Sequence, residues 1–192
     1  MPNWCTTSYT AIGDKKELQE LHDKMQELAG YETALVPNDF GPTWLGCLVT
    51  ALGGDWKEIY CRGYYWEPDL EDDRLRFMTE TAWGEPTETI AFLEEKFPNI
   101  RFFFLAEEPG MEYFVTNDSE GVAYDERYYI NGPGCADATY YTQDEEAEFL
   151  AEVSQCVGVE VKSPEDAVAA AWEYNKDKDW EDMIEVRIYK VI

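Results

Sequence analysis

From Leu75 to Ala106 the pattern of apolar and polar positions fits strand, helix, strand, and the other elements arrange themselves around that unit. Leu75, Phe77, Thr79 and Thr81 interleave with Arg76, Met78 and Glu80. That is the period of two expected where successive side chains point to opposite faces of a sheet. Trp83 and Gly84 end the strand. Pro86 suits a first helical turn, where its missing N–H has no intrahelical partner, and Ile90, Leu93 and Phe97 follow at helical spacing. Pro98 stops the helix. Ile100 to Ala106 is then apolar on both sides, with Phe102 and Phe104 on one face and Phe103 and Leu105 on the other, so it is expected to be covered on both.

Upstream, Trp4 to Ile12 alternates as a first strand closed by Gly13-Asp14. Leu18, Leu21, Met25 and Leu28 then recur as one buried helical stripe that ends at Gly30. Tyr31 to Thr43 carries Pro37, Gly41 and Pro42 and is expected to be irregular, and Trp44 to Leu52 predicts a short helix before Gly53-Gly54. Ile59 to Trp66 predicts a strand, returned by a turn at Glu67-Pro68-Asp69 into the strand that begins near Leu75. Downstream, Glu107-Glu108-Pro109-Gly110 predicts a turn and Glu112 to Thr116 a further strand. Val122 to Ile130 and Thr139 to Thr142 are expected to add two more. Thr142-x-x-Glu145 forms a capping box ahead of one helix, Ser163-Pro164 opens another, and Ile184, Val186 and Ile188 alternate in a last strand.

The order strand, helix, strand, strand, helix, strand is that of a split βαβ, ferredoxin-like core with an antiparallel sheet, an α+β fold. On this reading residues 1–192 form a single domain. Residues 1–106 make the core, and 107–192 make an acidic extension whose helices cover the second sheet face.

The chain also resembles the YubB-like family of ferredoxin-fold proteins, found mainly in bacteria on phage, plasmids and genomic islands. The resemblance rests on Pro2-Asn3-Trp4-Cys5, Gly13-Asp14, Trp44-Leu45-Gly46 and Tyr60-Cys61-Arg62-Gly63. Thr79-Glu80-Thr81-Ala82-Trp83 with Pro86, and Glu107-Glu108-Pro109-Gly110-Met111, complete the set. The motifs span roughly 2–120, and it is their order that carries the resemblance rather than any one of them. Thr6-Thr7 and Gly84-Glu85 stand where the family often has Asn and Ser-Pro. The resemblance implies a fold and a mobile-element setting, and no activity.

Charge changes the picture more than composition does. The chain carries 41 acidic and 15 basic residues, a formal net of −26, and residues 111–192 hold 20 of those acids against six bases. A phosphate backbone or an anionic membrane needs a basic footprint, so direct nucleic-acid binding and membrane binding are not expected, whereas a basic protein partner is. No apolar run approaches a membrane span and MPNWCTTSYT lacks the regions of a signal peptide, so a cytoplasmic protein is expected. Five cysteines, none spaced as CxxC, fit buried small hydrophobes better than a disulfide or zinc framework.

Candidate chemistry is sparse. His22 is the single histidine, on the flank of the first helix, and nothing in the sequence sets a nucleophile beside it. The acidic runs 67–73 and 177–182 offer oxygens at alternating positions but lack the Gly and distal Glu of an EF-hand loop, and no cofactor or metal is expected. Tyr64-Tyr65-Trp66, Tyr128-Tyr129 and Tyr140-Tyr141 are expected to pack across strands rather than to stack nucleobases. The function expected is a non-enzymatic binding protein presenting an acidic surface, in the narrowest form a mimic of DNA. The alternative is a carboxylate-dependent hydrolase, with or without the assistance of a divalent metal ion. Candidate interaction residues are Trp83, Glu85, Glu107 and Glu108 at the corners of the core, and Asp177, Asp179 and Asp182 in the extension.

Overall fold

A computed structural model describes residues 3–135 and 138–192. Pro2, the first residue of the motifs quoted above, lies outside the described residues. The fold is α+β, and backbone contacts divide the chain into Met1–Tyr113 and Phe114–Ile192.

The first unit runs β1 (Trp4–Gly13), α1 (Lys15–Ala29), α2 (Leu45–Ala51), β2 (Gly63–Glu71), β3 (Arg74–Ala82), α3 (Thr87–Lys96) and β4 (Ile100–Glu108). The four strands lie in the order β2-β3-β1-β4, each antiparallel to its neighbour. Register places Tyr9 between Phe77 and Phe104, its ring stacked on Phe77 at 5.0 Å and 5.8 Å from Phe104. Leu75, Phe77, Thr79 and Thr81 are all buried, as the alternation predicts. Tyr65 shares that face and donates its hydroxyl to the carbonyl of Met25 at 2.8 Å, tying the sheet to the buried stripe Leu18, Leu21, Met25 and Leu28 of α1. On β4, Phe102, Phe103 and Phe104 are buried in succession, and the Arg101 guanidinium lies over the Phe103 ring at 4.7 Å.

The α1 start shows why the β1–α1 junction needs its sequence. Asp14 caps the helix by accepting from the N–H groups of Lys16 and Glu17, while its own N–H donates to Asn99. Gly13 sits at φ 152, where a Cβ would meet the Asn99 carbonyl oxygen at 2.0 Å, so no side chain is tolerated.

Two expectations change here. The turn predicted at Glu67-Pro68-Asp69 is a bulge within β2: pairing with β3 slips between Trp66 and Asp69, Glu67 is at φ 53, and the reversal comes at Asp72-Asp73. A proline without an N–H is accommodated because β2 is the outermost strand of the unit's four, where no ladder bond is lost. In α3 the buried stripe is Thr89, Phe92, Leu93 and Phe97, with Ile90 half-buried.

The second unit holds β5 (Tyr113–Thr116), β6 (Glu126–Asn131), β7 (Thr139–Thr142), α4 (Glu146–Val157), α5 (Pro164–Asn175), β8 (Glu185–Ile188) and β9 (Lys190–Val191). β6 is central in an antiparallel sheet β7-β6-β8, and β5 pairs in parallel with β9. Tyr128, Ile130, Tyr141 and Ile184 of the sheet side meet Phe149, Val153 and Ala167 of the helices, with Tyr128 stacked on Phe149 at 4.8 Å. The capping box at Thr142 and Glu145 and the Ser163 cap of α5 both form. Among the described residues no helix is long and apolar enough to cross a membrane.

The strand expected from Val122 begins only at Glu126, because Asp118 takes the preceding segment for itself. Its carboxylate, 1% exposed, accepts from the N–H groups of Val122, Ala123 and Tyr124, and its carbonyl accepts from Arg127 Nη2 at 2.6 Å. Burial opposes ionisation of Asp118, but three N–H donors and the Arg127 charge outweigh it and hold the carboxyl below its usual range. A lowered folded-state pKa adds stability above the unfolded value of about 4, and the gain is lost as pH falls through the folded value. Asp118→Asn is therefore expected to cost about 2–3 kcal/mol near pH 7 in urea denaturation, and the gap from the parent to narrow below about pH 4.

Candidate functional site

Among the described residues the most exposed large apolar side chain, Trp180, belongs to a segment made of charge apart from it and Met183. Residues 176–183 leave the end of α5 and return to the core at Ile184, and both ends are held by one side chain. Asn175 donates from Nδ2 to the Ile184 carbonyl at 2.8 Å, and its Oδ1 accepts from the Ile184 N–H at 2.9 Å. Ile184 is buried in the core of the second unit, so the clasp is anchored. Within the loop, Lys178 N–H donates to the Asn175 carbonyl and Asp182 N–H to that of Asp179, closing a 3-10 turn over Trp180–Asp182. Trp180 stands 80% exposed at its head.

The same loop carries Asp177, Asp179, Glu181 and Asp182, all exposed, and among the described residues no ion pair reaches any of them. The nearest lysines in sequence are engaged on rings. Lys176 pairs with Glu173 and lies over Trp172 at 4.5 Å, and Lys178 lies over Tyr174 at 4.5 Å. Both arginines of the unit are drawn inward. Arg127 is buried, donating to the carbonyls of Asp118, Tyr124 and Glu126. Arg187 is held between the Phe114 and Tyr129 rings and bonded to Glu185. The surface of this unit is accordingly more acidic than its composition. Beside the loop, Trp180 and Met183 face Asn131, Gly132 and Pro133 across an open groove of about 630 Å³.

The other sequence-derived candidates gather at one end of the first unit's sheet, where their carboxylates serve the fold. Trp83, at φ 76 and 49% exposed, makes the corner after β3, its N–H donating to the Asn3 carbonyl. Glu85 accepts from the Tyr113 hydroxyl at 2.6 Å. Glu107 continues β4 opposite Thr6 and is half-buried. Glu108 is 4% exposed rather than a solvated tip: it accepts from Asn3 Nδ2 at 3.3 Å and from the Gly110 N–H at 2.9 Å, capping the 3-10 turn Pro109–Met111. Burial pushes the neighbouring Cys5 thiol up to about 11, and Tyr113 is raised by burial and then by Glu85, so neither is a nucleophile at neutral pH.

The aromatic runs are engaged in hydrogen bonds and ring contacts as well, although Tyr140 is 46% exposed. Tyr64 donates to Glu80, Tyr128 to Glu146 and Tyr141 to Glu152, and Tyr129 packs on Tyr140 at 4.8 Å. Phe40, Trp44, Trp56 and Tyr60 line a groove of about 610 Å³, in which Trp44 and Trp56 meet edge-on at 5.2 Å and Trp44 Nε1 donates to the Cys61 carbonyl. His22 is half-buried on α1 with Nδ1 3.4 Å from Asp23.

Hydrolysis by paired carboxyls requires one held protonated by a raised pKa. Among the described residues the displaced carboxyls all move down: Asp118, Glu27 through its bond from Lys24, and Glu145 through the Thr142 N–H. Neither acidic run gathers three ligand groups; among the described residues only Cys135, Glu152 and Cys156 do so. Sequence reasoning passed over Trp180 and Asn175, and it passed over that cysteine cluster, although Glu152 and Cys156 stand four apart in a predicted helix.

Asn175→Ala is expected to cost about 1–2 kcal/mol at the loop base, since two hydrogen bonds close it. Hydrogen exchange at the Ile184 amide should accelerate roughly tenfold, with β6 protection unchanged; equal protection in both proteins would show that the clasp does not hold the loop.

Comparison of the chain with protein-family models, with curated proteins and with solved structures finds no match.

Proposed function

We propose that this protein is a non-enzymatic binding protein whose 176–183 loop engages a basic surface of a protein partner. The observation that carries this reading is Trp180, 80% exposed on a loop that also carries four exposed acids and whose base is clasped. An exposed tryptophan forgoes the burial of a large apolar surface, and tryptophan is enriched among the few residues that dominate binding energy at interfaces. Arginine is the side chain that fits the pair best, because its guanidinium stacks on an indole face while its N–H groups meet carboxylates. Withdrawal of Arg127 and Arg187 from the surface removes competition for the same acids.

The strand order β2-β3-β1-β4, antiparallel throughout, supports a ferredoxin-like core for the first unit. A bacterial mobile-element setting remains part of the reading through the YubB-like resemblance. Its narrowest form makes the partner's cationic surface one that otherwise holds DNA.

The test is titration with oligoarginine and oligolysine peptides of equal length. Binding should weaken steeply with salt, and Trp180→Ala should lower affinity for oligoarginine about tenfold with a smaller effect on oligolysine. The combined Asp177→Asn, Asp179→Asn and Asp182→Asn protein should lose affinity for both, while Glu94→Gln with Glu95→Gln on α3 changes neither. Equal affinity across all variants would overturn the loop as the site. Displacement of duplex DNA from a basic DNA-binding protein by the parent, and not by the triple variant, tests the narrowest form.

A further inference from the structure

Three side chains of the second unit converge in a way that neither the fold nor the acidic loop requires. Glu152 and Cys156 stand one turn apart on α4, so they share a face of the helix. Cys135, whose N–H closes a turn onto the Gly132 carbonyl, reaches them from the connection between β6 and β7. The two Sγ atoms and a carboxylate oxygen all lie within 4.8 Å of one another, and all three residues are half-buried. The Tyr141 hydroxyl donates to Glu152 Oε2, which fixes the carboxylate's orientation. A small recess over Gly134, Ala151 and Gln155 opens beside Glu152.

The chemistry of the three groups points to a cation. A dication can draw two thiolates and a carboxylate to one point, each group supplying one ligand atom.

We infer that Cys135, Glu152 and Cys156 form a three-ligand site for Zn²⁺, with its fourth position left to water or another small ligand. Zinc is the cation that accepts thiolate and carboxylate together in a tetrahedral set; calcium and magnesium take oxygens, and copper(I) prefers sulfur alone. The two thiol protons leave as the two sulfur–metal bonds form, and Glu152 supplies a carboxylate oxygen. Tyr141 is a positioning residue, acting through Glu152. The site is independent of the acidic loop.

The experiment uses the full chain, reduced and stripped of metal, with Zn²⁺ measured by competition against a chromogenic chelator and Co²⁺ as a spectroscopic probe. One equivalent of Co²⁺ should bind with a thiolate charge-transfer band and tetrahedral ligand-field bands. Cys135→Ser and Cys156→Ser should each lower zinc affinity by about 100-fold or more and remove the charge-transfer band. Tyr141→Phe should cost about tenfold, and Cys47→Ser should leave both readouts unchanged. In the parent protein, which avoids any folding defect of the variants, Zn²⁺ should protect Cys135 and Cys156 from alkylation, read by peptide mass spectrometry. Cobalt bound without a thiolate band, zinc retained by the serine variants, or alkylation of both cysteines unaffected by zinc would each overturn the site.

Discussion

The first unit depends on β1 being paired on both sides, with Tyr9 set between Phe77 and Phe104. A slip of one residue in either pairing would send Tyr9, Phe77 or Phe104 to the wrong face and strand the α1 stripe without a floor. Register is fixed at the edges of that row by polar groups. The Tyr65 hydroxyl reaches the Met25 carbonyl, and Asn99 is gripped by Glu17 through its backbone N–H and side-chain amide. Apolar area thus supplies the drive to form the sheet, and a few directional bonds select one arrangement of it.

Irregular segments follow a second rule, in which one short polar side chain satisfies the backbone that no ladder can reach. Asp118 does this for 122–124 and Asn175 for Ile184. Asn38 does it for its own turn, accepting from the N–H groups of Phe40 and Gly41 while donating to the carbonyls of Val36 and Gly41. Such residues act as local substitutes for secondary structure. The long stretches between regular elements are ordered by them without a core of their own.

That rule also marks where the amino-acid sequence is readable and where it is not. The β3 alternation, the α1 stripe and both helix caps downstream announce themselves, because each is a local pattern set by one buried face or one terminus. The Glu67-Pro68 bulge does not, since the same residues would make a good turn and only pairing with β3 decides between them. Glu108 looks like a solvated tip until Asn3, 105 residues away, is placed beside it. Nor is the late start of β6 legible, because it is Asp118 that removes 122–124 from the ladder. Of the site residues, the acids of 177–182 stand out by composition. The exposure of Trp180 and the meeting of Cys135 with Cys156 are consequences of tertiary structure.

The Asn175 clasp has a kinetic side. A loop closed at its base by one amide has already lost most of its conformational freedom when the unit folds, so little ordering entropy remains to oppose an encounter. Long-range attraction from the carboxylates of the loop would set how fast a cationic surface arrives, and the depth to which a single indole is covered would set how long it stays. On the proposed function, arrival and residence would be governed by different atoms of one short segment, and each could change without the other.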